Sequence, residues 1–88
     1  MAKLPARSYI ILVETFSADI PGKAANVHVR PVPGQQFPVD MEVECSRALR
    51  TKHPVGTVFR IKAKLAEHEA GTSYLFSHHR WRYELVEE

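Results

Sequence analysis

The chain is poor in the residues that build covalent cross-links, membrane helices and phosphate-binding loops. Its one cysteine, Cys45, cannot form a disulfide within the chain, and a lone thiol is typical of a reducing compartment. The longest apolar run is Tyr9–Val13, far shorter than the roughly 18 residues of a membrane helix. The four glycines are scattered rather than gathered into one loop. These features argue against a disulfide-stabilised fold, a membrane-spanning helix and a P-loop nucleotide site.

Motifs for catalysis and for metal binding are equally scarce. The five histidines lack the spacing of a metal site, and the neighbours His78 and His79 would point to opposite sides of a regular strand. Cys45 alternates with apolar residues, which favours a buried position over a role as nucleophile. We therefore expect a non-enzymatic domain with no catalytic residue, no cofactor and no metal.

The length of 88 residues corresponds to a single domain, residues 1–88, in which residues 1–7 form a loose lead-in. A hydrophobic fraction of 44% is ordinary for a globular protein. The first residues include Lys3 and Arg7 but no apolar segment followed by a cleavage site. We expect no secretory leader and a cytoplasmic location.

Positive charge is concentrated in the second half of the chain. The formal net charge is +2, yet residues 45–83 hold eight cations and two carboxylates, a local charge of +6. Residues 1–44 hold four cations and five carboxylates, and residues 84–88 hold three carboxylates. A local excess of this kind attracts anionic partners, although it indicates no particular fold.

The segment Gly56–Leu65 has the clearest two-residue alternation in the chain. Apolar residues occupy one side, and three cations occupy the other. Because successive side chains of a strand point to opposite faces, this pattern predicts a half-buried β-strand. The apolar side consists of Phe59, Ile61, Ala63 and Leu65, and the basic side of Arg60, Lys62 and Lys64.

The rest of the chain divides into further short elements. Continuous apolar sequence predicts a central strand, and alternation predicts two more strands. Turn-forming residues predict loops at 15–25 and 31–38 and a turn at 67–73. Ser46 is a good N-cap for a short helix over residues 47–52, which ends before Pro54. The predicted strands are Ser8–Glu14, Asn26–Arg30, Val39–Cys45, Gly56–Leu65 and Tyr74–Val86.

The last of these strands contains a phase break. Tyr74 and Phe76 are even-numbered, whereas Trp81, Tyr83 and Leu85 are odd-numbered. Since a shift of one residue moves a side chain to the other face, residues 77–80 must interrupt the ladder. The segment lacks the glycine, proline or asparagine of a hairpin turn, which favours a β-bulge over a hairpin.

The element order is three strands, a short helix and two strands. This order resembles the OB-fold, a partly open five-stranded barrel, with an SH3-like barrel and an α+β meander as alternatives. The resemblance implies oligonucleotide binding on strands two and three. That face has no aromatic ring for stacking and too many carboxylates, so we place the binding surface on strands four and five. The residues of the unsuitable face are His28, Arg30, Asp40, Glu42 and Glu44.

We expect the partner to be nucleic acid, bound through a basic face on the last two strands. Side chains two apart in a strand stand roughly 6.5–6.8 Å apart, so a basic row can follow a phosphate backbone. The expected binding residues are Arg60, Lys62, Lys64, His79, Arg80 and Arg82, with Arg47 and Arg50 on the helix. Trp81 and Tyr83, which are interleaved with these cations, would suit stacking on bases. Alternation instead favours the core for most of the aromatic residues here, which are Tyr74, Phe76, Trp81 and Tyr83.

The acidic row on the third strand gives a competing interpretation. Asp40, Glu42 and Glu44 have the same spacing as the basic row, so neighbouring strands would neutralise each other. If the rows instead meet complementary rows on another chain, the domain is a protein–protein interaction or assembly module.

Overall fold

The computed structural model describes residues 8–19, 21–22 and 26–86, so the predicted lead-in 1–7 lies outside the described residues. Within this part of the chain, six strands and one short helix follow one another. They are β1 (Ser8–Ser17), β2 (Val27–Pro31), β3 (Val43–Glu44), α1 (Arg47–Thr51), β4 (Val58–Glu67), β5 (Ser73–Phe76) and β6 (Tyr83–Leu85).

The strands form one sheet that curls into a nearly closed barrel. β1 pairs with β2 and with β4, β4 pairs with β5, and β5 pairs in parallel with β3. The resulting order is β2-β1-β4-β5-β3, and the barrel has one unsealed seam, between β2 and β3. The predicted mostly-β class and partly open, OB-like five-stranded barrel are therefore confirmed.

The core lies inside this barrel and consists mainly of the alternating apolar residues. Within β4, the burial predicted from alternation is wrong at Leu65, which is 43% exposed. Two buried residues come from outside the strands, Phe37 from the β2–β3 connection and Leu49 from α1. The strand residues of the core are Ile11, Val13, Val29, Val43, Phe59, Ile61, Ala63 and Leu75.

Two predicted strands have an end that is wrong by three or more residues. β1 continues to Ser17 instead of ending at Glu14, because Thr15 is buried and its backbone pairs with Gly56 and Thr57. The third strand has only two residues, because a turn closed by the Met41 N–H to the Pro38 carbonyl occupies its predicted first half. The register makes Pro31 the last residue of β2, where an edge strand tolerates the missing N–H.

The short helix is confirmed with its predicted cap. The Ser46 hydroxyl accepts a hydrogen bond from the Ala48 N–H, 3.2 Å away. The helix ends at Thr51, before Pro54, and Leu49 is its buried residue. Its function in the fold is to place that one side chain in the core.

The predicted interruption of the last strand is confirmed, but its form is neither a one-residue bulge nor a hairpin. β5 and β6 both pair with β4, on the edge that β1 leaves open. Residues 77–82, here called the excursion, leave the sheet between them. The Ser77 hydroxyl donates to the Lys62 carbonyl at 2.6 Å, and the Trp81 N–H donates to the His78 carbonyl at 2.9 Å. The excursion is thus a closed turn anchored on β4.

Candidate nucleic-acid interface

The basic row of β4 lies on the outer face of the barrel, as the alternation predicts. Its inner neighbours, Phe59 and Ile61, are buried. Of the three cations, Arg60 has a carboxylate partner: its Nη1 lies 3.7 Å from Oε1 of Glu84, directly across the β4–β6 ladder. This pair partly neutralises one end of the row.

The other two cations lie over an indole ring. The Nζ atoms of Lys62 and Lys64 are 5.1 Å and 5.7 Å from the centroid of the Trp81 ring. These distances fall within the range of cation–π attraction. Neither lysine forms an ion pair with any described carboxylate, so both charges face solvent and ring. The excursion brings Trp81 to this position by folding back over β4.

Further rings surround Trp81 on the same face. Phe76 lies 6.3 Å from it with an interplanar angle of 69°, and His78 lies 5.9 Å from it at 42°. Phe76 is directly opposite Lys64 in the β4–β5 ladder and is 36% exposed. We call Lys62, Lys64, Phe76, His78 and Trp81 the Trp81 cluster.

The predicted core position is wrong for Tyr74, Phe76 and Trp81. In β5 the inward position belongs to Leu75, which is fully buried, so Tyr74 and Phe76 point outward. Tyr74 stacks on the His68 ring at 4.2 Å. Tyr83 is the one aromatic residue of this set that packs against the core, with its ring 5.4 Å from that of Phe59.

The remaining predicted binding residues of the last segment lie in the excursion. His79, Arg80 and Arg82 are all exposed, and the His79 ring stacks on that of His78 at 4.3 Å. The Arg80 N–H donates to Nδ1 of His78 at 3.1 Å, which fixes the backbone beside the Trp81 cluster. The excursion that carries these three residues also carries Trp81, the ring over which Lys62 and Lys64 lie.

Arg47 and Arg50 do not belong to this face. They line a groove of about 960 Å³ at the β2–β3 seam, on the other side of the barrel. The prediction that the helix extends the basic face is wrong, because α1 lies beside the seam rather than beside β4. The same groove is lined by Asp40, Glu42 and Glu44, so its charge is mixed.

The acidic and basic rows do not neutralise each other within the chain. β3 pairs with β5, so the acidic row is not beside β4. Glu42 instead accepts from Nε2 of His68 at 3.0 Å. Asp40 and Glu44 form no ion pair with the described residues.

One aromatic residue of the β2–β3 groove, Phe16, was not predicted. Phe16 was assigned to a loop, but it lies in the extension of β1, where its ring is 4.6 Å from Cζ of Arg30 and 5.7 Å from the His28 ring. Arg30 itself is paired with Glu14, at 2.9 Å. The pairing of Phe16 with His28 in the β1–β2 ladder shows that Phe16 lies in a strand beside the groove. This pairing is visible only in the tertiary structure.

Cys45 is poorly suited to nucleophilic chemistry. Burial raises the pKa of its thiol to about 11, an effect that the positive charge of Arg50 only partly offsets. At neutral pH the side chain is therefore the protonated thiol, packed against the core as its alternation predicts.

The described residues contain no group of three His, Cys, Asp or Glu side chains placed to hold a metal ion. In the same part of the chain, no helix has the length and apolar character needed to cross a bilayer. Comparison of the chain with protein-family models, curated proteins and solved structures finds no match.

Proposed function

We propose that this domain binds nucleic acid, with its phosphates held on the outer face of β4 and on the excursion. The observation that supports the proposal is that two lysines of β4 lie over the ring of Trp81, next to which two further exposed cations stand in the sequence, and none of the four has an ion-pair partner among the described residues. The four cations are Lys62, Lys64, Arg80 and Arg82.

The availability of these charges distinguishes them from the other cations of the sheet. Arg30 and Arg60 already have carboxylate partners, Glu14 and Glu84. An unpaired lysine can exchange its counterions for a phosphate without first breaking an ion pair. Each such contact adds about 0.7–0.9 to the slope of log affinity against log salt.

The test is binding of fluorescently labelled oligonucleotides, measured by anisotropy at several salt concentrations. Lys62→Ala with Lys64→Ala should weaken binding for all sequences alike, since phosphate contacts carry no base information. Loss of two contacts should also reduce the salt slope by about 1.4–1.8.

The matched control is Arg47→Ala with Lys52→Ala, which removes two exposed cations, one from α1 and one from its C-cap. This variant has the same net charge as the β4 variant but an intact outer face, so its affinity should stay close to that of the wild type. Equal losses of affinity in the two variants would mean that only the net charge matters, and would refute binding at a defined face. Absence of binding by the wild type at low salt would end the proposal.

A protein–protein interaction or assembly module is the second candidate, favoured by the separation of the acidic row from the basic row. Asp40 and Glu44 are exposed, and a row on a second copy could meet Lys62 and Lys64. In that case sedimentation velocity should show a concentration-dependent increase in size, abolished by Lys62→Glu and restored by mixing that variant with Glu44→Lys. If the wild-type protein stays monomeric at high concentration, self-assembly is ruled out.

A further inference from the structure

We infer that the outer face selects single-stranded nucleic acid and that Trp81 is the platform on which an unpaired base stacks. This inference rests on the proposed function, because it concerns the same face. It adds the class of nucleic acid, single-stranded, and a base-stacking contact that phosphate binding alone does not require.

Three rings lie together on this face. Trp81 is partly buried, and it lies near two other rings, Phe76 and His78, on a face that also holds the unpaired lysines. Buried aromatic residues contribute to stability, whereas exposed ones on a basic surface offer π-faces to bases. A duplex keeps its bases stacked on one another, so only an unpaired base can reach such a ring without an unstacking cost.

The cations lie where they can hold the phosphates that flank a stacked base. Lys62 and Lys64 are two residues apart on one strand, and both ammonium groups lie within 6 Å of the indole centroid. A base stacked at Trp81 would have its flanking phosphates near these ammonium groups. The Trp81 cluster thus combines the stacking ring and the positive groove of a single-strand site.

Apolar surface lies beside the lysines of the Trp81 cluster. Ile10 is 67% exposed and is paired with Lys62 in the β1–β4 ladder, while Phe76 is paired with Lys64 on the opposite edge of β4. Apolar side chains therefore flank the lysines on both sides. Phosphates gain nothing from such surface, whereas neighbouring bases can pack on it.

The test uses the fact that Trp81 is the only tryptophan of the chain, so intrinsic fluorescence reports on this ring alone. The wild-type protein is titrated at low salt with a single-stranded DNA, an RNA of the same sequence, and the corresponding DNA duplex. We expect quenching by one or both single strands, with little change on addition of duplex. The two single-stranded arms establish which sugar is preferred.

Trp81→Ala should weaken single-strand binding about 5- to 140-fold, the effect of losing one stacked base. Trp81→Phe keeps a π-face and should retain most of the affinity, measured by anisotropy with a labelled strand. Duplex affinity, which depends on the phosphates, should be the same in all three proteins. Thermal denaturation of each variant establishes that the fold is intact.

Salt-dependent binding without quenching, with equal affinity for duplex and single strand, would overturn this inference and leave the proposed function standing. An equal loss of duplex and single-strand affinity in Trp81→Ala would likewise overturn it, since the ring would then only position the lysines. Absence of all binding would refute both proposals together.

Discussion

At the scale of single residues, Ile61 and Ile10 are the same side chain in opposite environments. They lie on the neighbouring strands β4 and β1, and they are 2% and 67% exposed. Ile61 packs in the barrel core with Phe59 and Ile11, whereas Ile10 lies on the outer face beside Lys62. Burial, and not residue type, sets the contribution of each to stability.

We expect Ile61→Ala to lower the free energy of unfolding by about 2–5 kcal/mol, through lost apolar contacts and a cavity. A domain of this size has a narrow stability margin, so the loss should be evident in chemical denaturation. The control Ile10→Ala should change stability by no more than about 0.5 kcal/mol. Similar losses in the two variants would contradict the assignment of inner and outer faces.

At the scale of elements, the excursion is the feature on which the candidate interface depends. It joins two strands that pair with the same edge of β4, so the chain must leave the sheet and return. Its anchor is the buried Ser77, whose hydroxyl donates to the Lys62 carbonyl. The Lys62 carbonyl lies in the part of β4 that neither β5 nor β6 pairs with, and this bond gives it a donor. The bond also holds the start of the turn that carries Trp81.

Ser77→Ala should destabilise the domain by about 0.5–1.5 kcal/mol, because the partly buried Lys62 carbonyl loses its donor. The variant should also shift the fluorescence maximum of Trp81, since the ring loses its fixed position. Ser17→Ala is the matched control, because Ser17 is exposed at the end of β1 and its side chain forms no hydrogen bond with the described residues. An unchanged stability in Ser77→Ala, measured by denaturant unfolding, would show that the excursion does not need this anchor.

At the scale of the whole molecule, the unsealed seam is what separates this barrel from a closed one. β2 pairs with β1 on one edge, and its other edge faces β3 without a ladder. The Val32 N–H donates to the Leu12 carbonyl, and the Ala18 N–H donates to the Asn26 carbonyl. These two bonds show which residue pairs of the β1–β2 ladder are hydrogen-bonded and which are not. It follows that the amides of His28 and Arg30 point to β1, whereas those of Val27 and Val29 point into the seam.

Hydrogen exchange should show this alternation along a single strand. We expect the amides of Val27 and Val29 to exchange rapidly and those of His28 and Arg30 to be protected, because only the latter pair with β1. The four amides belong to one strand, so each pair is a control for the other. Strong protection of Val27 and Val29 in native-state NMR exchange would mean that the seam is sealed in solution.

Much of the local structure was predictable from the sequence, because it depends on neighbours along the chain. Two-residue alternation was enough to assign Phe59 and Ile61 to the core and Lys62 to the outer face. Ser46 was recognisable as a cap because its hydroxyl bonds to the backbone only two residues away. The phase break between Phe76 and Trp81 located the interruption of the last strand.

The tertiary structure decided which of these elements meet, because strand pairing depends on residues far apart in the chain. The sequence could not show that β3 pairs with β5, which leaves the acidic and basic rows apart, or that α1 carries Arg47 to the seam. Nor could it show that Leu75 takes the inward place and leaves Phe76 outside. Trp81 reaches Lys62 and Lys64 only because the excursion folds back over β4, and no periodicity in the sequence determines the direction of such a turn.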